Sequence, residues 1–131
     1  MAKSVTPFLM FTGAAETAMR FYCAQFDDAQ ILSLERFGPG EPGAEGTVKR
    51  ALLELAGQRV MCFDSPPVHA FGFTPSFSFF VECEGEEELD RLYGALVEDG
   101  ATMMPPGDYG FSRKFAWIAD RWGVSWQLNY A

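Results

Sequence analysis

A chain of 131 residues, 48% hydrophobic and 15% aromatic, carries enough apolar surface for one self-supporting domain. Its formal net charge of −8 repels phosphate backbones, so nucleic acid is excluded as an expected partner. No apolar run reaches the roughly 20 residues of a membrane span, and Met1-Ala2-Lys3-Ser4 leads into a strand without a signal-like stretch, so no membrane partner and a cytoplasmic location are expected.

In chain order, residues 5–11 (V-T-P-F-L-M-F) read as a strand, with Pro7 suited to an edge or first position. Residues 14–26 read as a helix, because Ala15, Met19, Tyr22 and Phe26 recur at helical spacing. A strand is predicted over 29–36, and the run Gly38 to Gly46, interrupted by Pro39 and Pro42, reads as a flexible surface loop. Residues 47–56 and 59–64 form a hairpin around Gly57-Gln58, and Ser65 to Phe73 reads as a linker.

The pattern then begins again. Residues 75–83 (P-S-F-S-F-F-V-E-C) are a strand, and residues 85–99 a helix with Leu89, Leu92, Tyr93, Leu96 and Val97 on one face and Gly100 as its stop. Glu82, Glu84, Glu86, Glu87, Glu88 and Asp90 crowd this segment, where carboxylates suit the positive end of the helix dipole. Residues 101–104 are a short strand and 105–110 a loop. Phe115 and Trp117 alternate on one closing strand, Val124, Trp126 and Leu128 on the next, and Asp120-Arg121-Trp122-Gly123 turns between them. The order is β-α-β-β-β, linker, β-α-β-β-β: an internal repeat with units at about 4–64 and 74–131 of a single α+β domain. Each unit alone leaves a sheet face bare, so two must pair, within a chain or by exchange between chains.

Specific strings carry a family resemblance. T-P-F-L-M-F (Thr6–Phe11), A-M-R-F-Y (Ala18–Tyr22), V-M-C-F-D (Val60–Asp64) and F-T-P-S-F-S-F-F-V (Phe73–Val81) are short. D-Y-G-F-S-x-x-F-x-W-x-x-D-x-W-G-V-x-W-Q, Asp108 to Gln127, is long and specific. Together they resemble the PhnB-like group of the vicinal oxygen chelate (glyoxalase, bleomycin resistance, dioxygenase) superfamily, many of whose members carry the name 3-demethylubiquinone-9 3-methyltransferase. The resemblance implies curved mixed sheets around a cavity, helices outside, and a homodimer.

In metal-using members the ligands come from the first and last strands of each repeat. The resemblance carries these positions onto Pro7, Ser76, Phe63 and Gln127. Divalent metals need imidazole, carboxylate or thiolate, and none of the four supplies one, so no metal and no cofactor are expected. The methyltransferase name implies S-adenosylmethionine, whose usual site is a glycine-rich strand-to-helix turn in a parallel sheet. Gly38, Gly40, Gly43 and Gly46 lie instead between strands expected to be antiparallel.

With Gln127 taken as inward, period two also turns Ser125 and Asn129 inward, while Val124, Trp126 and Leu128 pack under the helices. By the same parity Leu9 and Phe11 follow Pro7, and Ser78 and Phe80 follow Ser76, with Met61 beside Phe63 completing the lining. Such a cavity, aromatic on one wall and small and polar on the other, suits a neutral or aromatic small molecule, unless its own side chains fill it. Asp108 and Tyr109, between Gly107 and Gly110, are read either as a lid or as a turn with an Asx hydrogen bond. His69, the one histidine, sits in the linker as a surface residue, and Cys23, Cys62 and Cys83 form no C-x-x-C pair and read as free, buried thiols. Trp117, Trp122 and Trp126 are expected as core or dimer-interface anchors. The leading expectation is a metal-free small-molecule binder. An isomerase, lyase or group-transfer enzyme of the superfamily kind and a dimeric interaction module are the alternatives.

Overall fold

A computed structural model describes residues 1–131, which divide into two compact units, Met1–Ala70 and Phe71–Ala131. The first holds β1 (Phe8–Phe11), α1 (Ala15–Gln25), β2 (Ala29–Arg36), β3 (Val48–Leu55) and β4 (Gln58–Asp64). Its sheet runs β1-β4-β3-β2, with β1 parallel to β4 and the other pairs antiparallel. The second unit repeats this plan with β5 (Ser78–Glu82), α2 (Glu86–Leu96), β6 (Ala101–Gly107), β7 (Lys114–Ala119) and β8 (Ser125–Tyr130), in the order β5-β8-β7-β6. The expected twofold β-α-β-β-β order of an α+β chain is therefore present.

In the first unit α1 buries Ala15, Ala18, Met19 and Tyr22. The sheet face that contributes to this core carries Leu9, Phe11, Ala51, Leu53, Val60 and Cys62, all buried. Asp64 is also on this face, and its carboxylate accepts hydrogen bonds from Gly13 N (2.7 Å), Ala15 N (3.0 Å) and Val48 N (2.8 Å). It thus ties the start of α1 to the start of β3 and satisfies a backbone donor that the first turn of a helix leaves without a partner. The β3–β4 hairpin turns at Ala56-Gly57 rather than Gly57-Gln58, both with positive φ (47° and 85°), the conformation a two-residue hairpin requires.

In the second unit α2 buries Leu89, Leu92 and Leu96 and begins on Glu86, Glu87 and Glu88, as the dipole argument expects. It ends at Leu96, sooner than the apolar spacing suggests, and Asp99 takes a left-handed φ of 59° before Gly100. Trp126, Leu128, Ala116 and Ile118 are buried on one face of the sheet. Asp120 is buried in the β7–β8 turn, where it accepts from Trp122 N, Val124 N and the Trp126 indole, each at 3.0 Å.

Three local expectations are corrected. Strand β6 continues through Pro105-Pro106 to Gly107 instead of stopping at 104; it is an edge strand with two irregularities in its pairing, which is where proline can be accommodated. Strands β1 and β5 are shorter than their apolar runs. The Gly38–Gly46 segment is held rather than free: Phe37 N donates to Thr47 O, Gly46 N to Phe37 O, and Glu41 pairs with Lys49.

Candidate functional site

The second unit sets out a mixed polar and aromatic face in three rows. Strand register places Ser78 beside Ser125 and Ala119, Phe80 beside Gln127 and Trp117, and Glu82 beside Asn129 and Phe115. Side chains on adjacent strands at one register position share a face. Of the lining residues expected from sequence, Ser78, Phe80, Ser125, Gln127 and Asn129 lie together here. Ser76 precedes β5, is exposed, and its hydroxyl lies 2.6 Å from that of Thr74.

The polar groups of this face differ in what they have left to give. The Trp117 indole donates to Ser125 Oγ at 2.8 Å, and the Ser125 and Ser78 hydroxyls pair at 2.6 Å. The Asn129 amide nitrogen donates to both Glu82 oxygens, at 3.3 and 3.0 Å. Asn129 Oδ1 is buried without a partner. The half-buried Gln127 has no side-chain hydrogen bond in the chain.

Aromatic rings gather at one end. Phe115 is buried, with Phe80 at 6.5 Å, Tyr109 at 6.2 Å and Phe111 at 4.9 Å between ring centroids. Phe80, Tyr109 and Phe111 are themselves exposed. Asp108 Oδ1 accepts from Gly110 N at 2.8 Å, the Asx turn that was one of the two readings for this loop, and the Tyr109 hydroxyl donates to Pro105 O.

The first unit corrects part of the expected lining. Leu9 pairs with Cys62 and Phe11 with Asp64, so both lie on the buried face of α1, opposite to Met61 and Phe63. Phe8 and Met10 take the places assigned to Leu9 and Phe11, and the Phe8 and Phe63 rings are 5.7 Å apart. The parity failed because 8–11 is apolar at every position, so nothing in the sequence chooses a face.

Three residues of the second-unit face lie outside the lining expected from sequence: Glu82, Phe115 and Trp117. By sequence Glu82 reads as part of the acidic run at the start of α2. Phe115 and Trp117 could have been found by counting back from Gln127 across the Asp120–Gly123 turn, since antiparallel pairing puts Trp117 opposite it.

No thiolate or metal cluster is assembled. Burial, with Asp64 nearby, pushes the Cys62 thiol up to about 12, and burial with Glu88 pushes Cys83 up to about 11, so both stay protonated near neutrality. No group of three or more His, Cys, Asp or Glu side chains converges in a metal-binding arrangement. The face around Gln127 offers amides, hydroxyls and a single carboxylate, a donor set that does not fit the superfamily's metal. His69 is exposed and outside every strand.

Two repeated β-α-β-β-β units with first and last strands parallel define the glyoxalase-type fold. The chain superimposes at a TM-score of 0.64 on the glyoxylase/bleomycin resistance protein/dioxygenase domain from Frankia sp. EAN1pec, covering 100% of this chain and 93% of that one; at 16% identity this shows the fold alone. Residues 3–129 match the family model described as 3-demethylubiquinone-9 3-methyltransferase, and the chain belongs to that PhnB-like family. It is 50% identical to the PhnB protein from Bacillus cereus, with 98% of this chain and 100% of that one covered and a TM-score of 0.95. It is 25% identical to protein PA1353 from Pseudomonas aeruginosa, with 98% of each chain covered and a TM-score of 0.84.

Proposed function

We propose that the protein binds a small organic molecule on the β5-β8-β7 face, with Gln127 as its polar anchor and without a resident metal. The observation that carries this is the state of Gln127. The residue is half-buried, stands in a row between Phe80 and Trp117, and its amide has no partner in the chain, whereas the neighbouring serine hydroxyls are spent on each other. A partly desolvated amide costs stability unless a ligand completes it. Aromatic walls with a few polar groups are the usual composition of such a site. Ser78, Phe80, Ser125 and Asn129 form its floor, and Tyr109 and Asp108 belong to the loop at its edge.

The methyltransferase in the family's name finds no support in the chain's own chemistry. Gly38 to Gly46 joins β2 to β3, which are antiparallel, and the Gly13 amide that precedes α1 is already bonded to Asp64. We further propose a homodimer in the cytoplasm, supported by the exposed Leu32, Phe71 and Phe77 outside the site and by three free cysteines. No helix is long and apolar enough to cross a membrane.

Saturation-transfer NMR with benzyl alcohol, a neutral aromatic with one hydroxyl, tests the site. Binding to the wild type that weakens about tenfold in Gln127→Leu is expected, the worth of one well-made polar contact. Equal binding to both proteins, or none to either, would sink the proposal. Sedimentation velocity reads the dimer in the same samples.

A further inference from the structure

Resting on that site, we propose that its ligand is an organic cation, an aromatic or alkyl ammonium, recognised by Glu82 together with the ring cluster. Glu82 is the one carboxylate in the three rows; its register partner is Asn129, which on its other side pairs with Phe115. No lysine or arginine pairs with it. Lys114, which begins β7, is held by Glu86 and Asp90 of α2, and Arg113 donates to the Tyr130 hydroxyl and lies over its ring at 4.9 Å. The two basic side chains nearest in sequence to Phe115 are thus engaged elsewhere, and the carboxylate is left to an external cation.

The Asn129 side chain shows how Glu82 is held. Asn129 is only 7% exposed and spends its amide nitrogen on both carboxylate oxygens, which leaves its own Oδ1 buried and without a donor. Buried polar atoms without partners are rare and mark places where something other than stability is being served. Here the arrangement fixes an exposed acid in the face at the expense of one acceptor. Beside it, Phe80, Tyr109, Phe111 and Phe115 offer aromatic surface that attracts a cation through the negative face of a ring. A carboxylate without a cation, next to clustered rings and a free amide, matches the chemistry of an ammonium better than that of an anion.

Three probes built on one phenyl ring test the charge: benzyltrimethylammonium, benzyl alcohol and benzoate, titrated by NMR into the full chain, its Glu82→Gln and Phe80→Leu variants, and Gln127→Leu. Glu82 and Phe80 are both exposed, and circular dichroism verifies the fold of each variant. Benzyltrimethylammonium is expected to bind about tenfold tighter than benzyl alcohol, and benzoate weaker than either. In Glu82→Gln the cation should fall to within about twofold of the alcohol, and Phe80→Leu should weaken the cation about threefold. A cation that binds no better than the alcohol, or a preference that survives Glu82→Gln, overturns the inference. If the alcohol still binds and responds to Gln127→Leu, the binding site stands and only its charge preference falls. If none of the three probes binds, both fall.

Discussion

Trp117 and Gln127 stand directly opposite each other across β7 and β8, yet only Trp117 has its polar group satisfied, by Ser125. An amide with nothing to bond costs little to remove. Gln127→Leu is therefore expected to leave stability unchanged or to raise it by up to about 1 kcal/mol, while ligand binding weakens about tenfold. Thermal melting of the two proteins without ligand checks this, and a loss of more than about 1 kcal/mol would show that the amide serves the fold.

Asp64 is the opposite case. Its two oxygens accept three buried or part-buried backbone N–H groups from two segments, the start of α1 and the start of β3. Asn has one acceptor oxygen and presents an NH2 group in place of the other, so an N–H would be left unsatisfied. Asp64→Asn should destabilise by about 2–3 kcal/mol. Urea denaturation should show a lower midpoint at unchanged slope.

Gly100 has no room for a side chain: an added Cβ would sit 2.1 Å from Ala119 O and 2.9 Å from the Asp120 carbonyl carbon. Both are backbone atoms of the β7 end and the turn that Asp120 organises, so neither can swing aside as a side-chain tip would. Gly100→Ala is expected to cost about 1–3 kcal/mol, the usual cost of overpacking. The same denaturation experiment reads it, and a variant as stable as wild type would contradict this packing.

The cysteines give a pH dependence with a definite sign. The Cys62 thiol rises from 9.0 to about 12 on folding, so above pH 9 the native state holds a proton that the unfolded chain gives up. Stability from this group is complete below pH 9 and declines as pH climbs from 9 towards 12. Unfolding free energies at pH 8 and pH 10.5 should therefore drop further in wild type than in Cys62→Ala, whose lower baseline stability cancels in the comparison. Parallel declines would mean that other groups carry the alkaline loss.

What could be read from the residues alone depended on where hydrophobicity alternates. Along β8, Trp126 and Leu128 are apolar while Ser125, Gln127 and Asn129 are polar, so a period of two separates the faces. Along β1, Phe8, Leu9, Met10 and Phe11 are all apolar; the choice of face came from Pro7, and pairing with β4 reversed it. Pro105-Pro106 reads locally as a loop, but an edge strand with irregular pairing tolerates it. Glu82 was hidden for a different reason. Its role depends on Asn129, a contact between residues 47 apart that no local window contains.

The fastening of each unit's first strand to its last has a consequence for how the chain acquires its shape. The bond between Asp64 and Gly13 joins positions 51 residues apart, and that between Ser78 and Ser125 joins positions 47 apart. The helices and the β3–β4 and β7–β8 hairpins involve short-range contacts and can form early. Strands β1 and β5 have their partners only once the unit's final strand exists, so closing each sheet is the step that carries the loop entropy. During synthesis the opening strand of each half waits, apolar and unpaired, for the ribosome to deliver its partner, and that interval is when the chain is most exposed to wrong pairing.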